Sequence, residues 1–421
     1  MKIIIKILLI LSLSSLSYVV TAQNSSGTPY SMYGFGLLKD NYGPYSSMGG
    51  VSAAMRDNNN INFLNPASYT ALDSNRFYFQ LGMDGEYVRI STHSENSNYR
   101  IAQNAAFNIA LRLARNLYTS IGFNQRSSLG YDLYYYNLIG GSKNEYYDQH
   151  IFGQGGLNDF YLGLAYKFGN LSIGVNSIII FGNIERRLTL YPIVSDSYYI
   201  NTQTKVSVAD AIFDLGAQYG FLISPISRIT LGANLNLPTK LNADKDFVSY
   251  KVNATTGVQT TIDKEDLNEG NISYPLRVTG GMQYEYKDKW FVAADYTYQQ
   301  MSQYEEFGRN QEFNDYQKGA LGLTFLPARN GRFWWQRNKY NAGLYAVRSQ
   351  LELNDIKIKT IGFTFGTQMP VKISDKDLTL GVAIDLGVRG TEENGLIQER
   401  YVKLRLNIAF KEQWFMKRKI Y

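Results

Sequence analysis

The stretch Tyr401-Val402-Lys403-Leu404-Arg405-Leu406-Asn407-Ile408-Ala409-Phe410 decides the fold of this chain. Successive side chains of a strand point to opposite faces. Val402, Leu404, Leu406, Ile408 and Phe410 therefore share one face, and Lys403, Arg405, Asn407 and Ala409 share the other. A soluble sandwich also alternates in this way. What separates the two is recurrence of the pattern along the chain and an export signal ahead of it.

The same alternation runs through Leu378–Val388, Ile229–Leu237, Phe160–Phe168, Trp290–Tyr298 and Phe77–Asp84. Opposite the apolar residues stand mostly Gly, Ala, Thr, Asn and Asp, which suit a hydrated barrel interior. Strands begin near residues 75, 101, 117, 157, 170, 204, 227, 272, 288, 315, 339, 356, 376 and 399. That is about 14 strands, an even number that returns the C-terminus to the side of the first strand.

The connections point the same way. Arg115-Asn116, Phe168-Gly169-Asn170, Ser224-Pro225-Ile226 and Lys287-Asp288 are short turns. The alternate connections, Ser91–Arg100, Tyr131–Leu157, Glu185–Gln203, Lys240–Asn271 and Gln303–Asn314, read as long loops. Short turns on one side and long loops on the other mark the periplasm and the outside. Ala328–Asn338 is long for an inner turn, and Asn354-Asp355 is short for an outer one.

Composition agrees. The chain has 421 residues and a net charge of +6, too mild to argue for nucleic acid. Lys2 and Lys6 precede an apolar run from Ile7 to Val20, and Val20-Thr21-Ala22 offers small residues before Gln23, as in a secretory signal. Loss of residues 1–22 would leave 399 residues and a charge of +4. Zero cysteines exclude disulfides, thiolate nucleophiles and lipidation at cysteine. No second apolar run approaches the ~20 residues of a membrane helix. Mean hydropathy is −0.26, which a barrel accommodates because only alternate residues meet lipid. Aromatics make up 14% of the chain, consistent with interfacial girdles.

Residues 23–74 differ from the rest: rich in Gly, Ser and Asn, without sustained alternation. Short helical pieces are expected near Ser52–Met55 and after Pro66. Asn65-Pro66-Ala67 has the Asn N-cap and Pro N1 of a helix start. It follows Met48-Gly49-Gly50 and stands just before the first barrel strand.

This arrangement resembles the FadL family of outer-membrane transporters for long-chain fatty acids and other hydrophobic compounds. Tyr30–Gly36, Met48–Gly50, Phe63–Leu72 and the tail Trp414–Ile420 look like the Bacteroidota branch of that family. The resemblance implies an all-β fold, a transmembrane antiparallel barrel of about 14 strands (residues 75–421) plugged by an N-terminal hatch (23–74) carrying Asn65, Pro66, Ala67, Gly49 and Gly50. It implies passive uptake of a fatty-acid-like ligand and lateral release into the membrane at the third strand, where Gly122 and Gly130 are candidates for a kink. It also allows an alternative, a non-transporting subunit of an outer-membrane assembly or secretion complex with other outer-membrane or periplasmic partners.

Tyr134, Tyr135 and Tyr136 read equally as a ligand-admitting groove or an outer girdle. Leu404, Leu406, Ile408 and Phe410 form the C-terminal strand signal. Arg100, Lys240 and Lys251 read as solvated loop charges rather than carboxylate ligands. His93 and His150 lack the acidic partners of a metal site and an oriented serine. Asp263–Asp266 with Glu269 lacks the spacing of an EF-hand. No enzyme activity, cofactor, metal or nucleic-acid partner is expected. Arg329, Arg332, Arg337 and Lys339 surround Trp334 and Trp335, which reads as an interfacial anchor or, more sharply, a periplasmic docking surface.

Overall fold

A computed structural model describes residues 27–39, 43–93, 95–138, 146–192, 198–373 and 376–413. The signal peptide expected over residues 1–22 and the tail Trp414–Ile420 lie outside the described residues. The wall has fourteen antiparallel strands. The first seven are β1 (Arg76–Ser91), β2 (Asn96–Ala114), β3 (Leu117–Gln125 and Ser127–Leu138), β4 (Tyr146–Phe168), β5 (Leu171–Pro192), β6 (Tyr198–Ser224) and β7 (Ser227–Asn236 and Thr239–Asn253). The others are β8 (Gln259–Tyr274 and Arg277–Tyr286), β9 (Trp290–Gln299), β10 (Tyr316–Phe325), β11 (Lys339–Leu353), β12 (Ile356–Ile373), β13 (Lys376–Gly390) and β14 (Gln398–Gln413). Each pairs with its neighbours, and β1 closes the ring on β14 from Arg76↔Gln413 to Ser91↔Gln398. Closure of β1 on β14 pairs both terminal strands of the wall, as a barrel in lipid requires.

The alternation places the faces. Leu404 and Leu406 are 47% and 46% exposed on the outer surface, with Ile408 and Phe410 on the same face. Phe160, Leu162, Leu164, Phe213, Leu215, Val292, Leu321 and Leu386 extend this apolar belt around the ring. Between them Gln80, Asp385, Asn407 and Ala409 turn inward and are buried.

Four expected outer loops are largely strand. β4 and β5 stay paired up to Tyr147↔Pro192, and β6 runs for 27 residues, about 90 Å at strand rise. About ten residues suffice to cross a bilayer. Lys240 and Lys251 thus lie in β7, and Tyr134–Tyr136 in β3. The surplus ribbons stand outside lipid, where nothing enforces an apolar face, so their alternation fades and they read as loops. Pro238 and Pro275, which lack an N–H, interrupt β7 and β8 at adjoining levels, beside the pairs Arg277↔Asn236 and Thr239↔Tyr274.

Residues 27–74 contain three short 3₁₀ turns, Pro29–Met32, Gly43–Met48 and Pro66–Ala71, and the strand Leu37–Leu38. The helical piece expected at Ser52–Met55 is only a turn closed by Met55 N–H to Ser52 O.

Candidate functional site

Asn65 does what its residue type predicts. Its side-chain oxygen accepts from Ala67 N–H at 3.1 Å, and Pro66 occupies N1. Its amide also donates to the carbonyls of Ala53 (2.6 Å) and Ala233 (3.2 Å), the latter on β7. The motif can approach the wall because inward-facing glycines clear a trough across β4 to β7. Gly163 faces Tyr69, Gly174 and Gly216 face Pro66 and Ala67, and Gly232 faces Ala53. A methyl group at Gly232 would lie 2.0 Å from the Ala53 carbonyl oxygen. Asn65→Ala removes a cap and two further bonds and should cost the segment about 2 kcal/mol of docking. Hydrogen exchange over residues 61–72 is the readout.

A second trough lies across β10 to β12. Gly322 faces Met48, Gly343 faces Met48 and Gly49, and Gly366 faces Ser47. Gly49 and Gly50 have φ of +68° and +77°, open chiefly to glycine. Gly49 N–H donates to Thr364 Oγ1 at 2.7 Å. Between the troughs, the buried Asp295 carboxylate of β9 accepts from the N–H groups of Ser52 (2.6 Å) and Ala53 (2.8 Å).

Ion pairs tie the segment to the end of the barrel where the short turns lie. Lys339 meets Asp57 at 2.6 Å, and Lys411 meets Asp73 at 2.9 Å. Burial pushes the Asp57 carboxyl up, but the Lys339 ammonium and bonds from Asn60 and Asn59 together hold it below the ordinary 3.8. A depressed carboxyl contributes stability that is full above its unfolded value, about pH 4, and is lost as pH falls through its folded value. Docking of residues 43–74 should therefore weaken below about pH 4, and Asp57→Asn should remove that acid step from a protease-accessibility titration.

Residues 27–39 occupy the upper lumen at a seam. The lower half of β3 pairs with β2 from Ala106↔Asn124 to Ala114↔Leu117. Above Arg126, β3 pairs with β4 and with Leu37–Leu38, and among the described residues it has no ladder with β2. The break is at Arg126, not at Gly122 or Gly130. Opposite it, Gly155 and Gly156 of β4 adopt φ of +124° and +146° and shift the register by one residue. Gly122 sits below, in regular pairing, against Asn108 and Tyr161.

The N-terminal segment stands in for the absent neighbour. Thr28 N–H donates to Gly130 O and Lys39 N–H to Arg126 O, both at 2.9 Å. Gly27 packs against Tyr99 and Ile101 of β2. The far side of the segment is held by β13, β14 and β1. The Thr28 hydroxyl donates to the buried Glu399 carboxylate, which Arg389 also meets at 2.8 Å. Tyr30 OH donates to Ile397 O, and Lys39 meets Asp84 at 3.3 Å. Burial lowers the pKa of the Lys39 ammonium, and Asp84 opposes that shift.

The spaces described in the lumen have mixed walls. A cavity of about 160 Å³ is walled in part by the pairs Lys39–Asp84, Lys403–Glu86 and Arg405–Asp385. A second, of about 60 Å³, lies beside Arg126–Asp159 and Arg277. The apolar sector is packed by Tyr30, Phe35, Leu129, Leu157, Ile180 and Tyr274, and beside Phe35 about 10 Å³ remains, room for about one water. The β9–β10 connection covers this sector: Tyr304 packs edge-on to Phe35 at 5.3 Å and against Phe313 at 5.4 Å. Arg186 clamps the cover, meeting Gly34 O at 2.6 Å and Glu306 at 3.3 Å.

Other expected positions are more remote. Tyr134 is exposed at the outer end of β3 and stacks on His150 at 4.2 Å, while His150 meets Asp132 at 2.7 Å. Tyr135 is exposed beside it, and for Tyr136 only the backbone is described. The glycine troughs, Asp295, Arg126 and Glu399 escaped the sequence reading. Their partners are far away in sequence, and a glycine on the inner face looks like ordinary filler.

Three solved structures share this fold. They are a Pseudomonas aeruginosa FadL homologue (TM-score 0.60, 9% identity, 91% of this chain and 100% of that one); the Pseudomonas putida toluene transporter TodX (0.59, 14%, 90% and 99%); and the Ralstonia pickettii toluene transporter TbuX (0.51, 14%, 89% and 99%). The fold is thus that of FadL-type outer-membrane hydrophobic-compound channels. No curated protein matches the chain. A family model described as BamG spans residues 4–421, and with that match over nearly its whole length this FadL-like barrel belongs to the BamG family.

Proposed function

We propose that the protein is a sealed FadL-type barrel of the bacterial outer membrane that works as a non-transporting subunit of a larger envelope complex. One observation carries this reading: among the described residues, the lumen holds no apolar cavity of the size a drug-sized ligand needs. Sites for drug-sized ligands are mostly apolar and run to about 300–1,000 Å³. Here the cavity is about 160 Å³, and three ion pairs share its wall with Leu37, Leu38, Val347 and Leu351. An apolar solute passing there would give up about 25 cal/mol per Å² relative to an oily path, and would also disturb those charges. The apolar sector is already occupied by Phe35 and Tyr30 of the chain's own N-terminal segment. Residues 27–74 serve in this reading as a permanent stopper, and the chain has no catalysis of its own.

Mild-detergent purification tests it. The barrel should bring other envelope proteins with it, and the isolated barrel should carry no acyl chain by native mass spectrometry. Recovery of the barrel alone, loaded with lipid or fatty acid, would sink the proposal.

A second reading has its own support in the seam. Where β3 leaves β2, residues 27–39 are what completes the wall among the described residues. If those residues withdrew, a fatty-acid-like molecule could bind in the space of Phe35 and leave sideways into lipid. Phe35→Ala should then create a site that takes up a fluorescent fatty acid in proteoliposomes. Wild-type transport in the same assay would favour this reading over the first.

A further inference from the structure

The connection between β10 and β11, residues 326–338, is the long loop at the end of the barrel where every other described turn is short. It is internally built. Ala328 N–H donates to Gln336 O at 2.8 Å and Gly331 N–H to Ala328 O at 3.2 Å. The Gln336 side chain accepts from Phe333 N–H at 3.2 Å and caps the 3₁₀ turn Trp334–Arg337. This ordered loop displays Phe333, Trp334 and Trp335 at 53%, 65% and 46% exposure. Arg332 and Arg337 beside them are exposed and form no ion pair among the described residues. We propose that this loop is a docking surface for a water-side protein partner that presents an apolar tip among Asp and Glu side chains.

The proposal rests on the subunit reading above and says where that subunit is held. Two observations favour a protein over the bilayer. The aromatic layer of the wall is supplied by the strands: Trp290 and Phe325, at the turn-side ends of β9 and β10, meet at a tilt with centroids 4.3 Å apart. The loop starts one residue past Phe325 and so lies beyond that layer, toward water. Second, a 3₁₀ turn advances about 120° per residue. Phe333 and Trp335 stack with ring centroids 6.2 Å apart, and Tyr340 of the outer wall donates to Trp335 O at 3.0 Å. Trp334 is the most exposed of the three rings. An exposed Trp flanked by unpaired Arg is the composition of interface hot spots, and the positive loop selects an acidic partner.

The test uses the full-length tagged protein recovered from cells in mild detergent. Wild type is compared with Trp334→Ala and with Arg332→Glu/Arg337→Glu, and heat-modifiable migration verifies that each barrel is folded. In a further sample Trp334 is replaced by a photo-cross-linking phenylalanine analogue. The expected result is at least about tenfold less of one co-purifying protein in both variants, the effect of a single hot spot, with cross-links on an Asp/Glu-rich peptide of that protein. Undiminished co-purification in the variants would overturn this surface and leave the subunit reading standing. Wild type recovered alone would overturn both. Quenching of the Trp334 signal (wild type minus Trp334→Phe) by brominated phospholipid in phosphatidylethanolamine–phosphatidylglycerol nanodiscs would make the loop a membrane anchor instead.

Discussion

Gly343→Val should unseat the plug and turn a silent barrel into a conducting one. The inner face of β11 touches the N-terminal segment so closely at Gly343 that an added Cβ would lie 2.1 Å from Gly49 N and 2.3 Å from Met48 C. Backbone lies on the far side of that contact, so no flexible side chain can give way. Gly49 lies tight against the same strand, its own Cβ position 2.5 Å from Leu344 O. Overpacking costs about 1–3 kcal/mol in ordinary cores. With backbone against backbone, about 3 kcal/mol or more is expected, enough to lower the seated fraction by about a hundredfold. Planar-bilayer recordings should show steady conductance for Gly343→Val and none for wild type. Gly319→Val, one strand away with nothing within 4 Å of its Cβ position, is the control. A silent Gly343→Val would mean that residues 43–50 do not close the lumen.

Arg389→Ala should loosen residues 27–39. The Glu399 side chain is 0% exposed, and Arg389 is its cation at 2.8 Å. Removing one partner of a buried pair leaves an uncompensated charge and costs about 3–5 kcal/mol, whereas replacing both by apolar residues of similar volume is often near neutral. Since Glu399 also accepts from Thr28, the damage should appear as faster hydrogen exchange over residues 27–39. Arg389→Leu with Glu399→Leu should recover most of the protection. A double variant as labile as the single one would show that the ion pair itself, not relief of a buried charge, holds the segment. The edge-on contact of Tyr304 with Phe35 holds the same segment from its other side.

Much of the wall was legible in the chain because it is set by local chemistry. Val402, Leu404 and Leu406 alternate with Lys403 and Arg405, and one face had to meet lipid while the other met counter-charges, here Glu86 and Asp385. Strand starts fall within two residues of expectation at β1, β3, β5, β7 and β9 to β14. The misplaced starts belong to β2, β4, β6 and β8, whose first residues stand outside lipid. Asn65-Pro66-Ala67 announced its turn, since a cap acts over three residues. Its docking site was hidden, because Gly216 gives no local sign of the residue it will face. The break in β3 was hidden for the same reason: Arg126 is an unremarkable strand residue, and the bulge that displaces it lies at Gly155-Gly156 on the next strand.

The sequence by itself determined the number of strands, their direction and the outward set of side chains, because a period of two needs only near neighbours and a solvent on each face. The tertiary structure alone decided where residues 27–74 dock against the wall. That outcome depends on contacts between residues hundreds of positions apart, Thr28 with Glu399 and Gly49 with Thr364. Such contacts exist only once β1 has closed on β14 and brought both ends of the chain around a common interior.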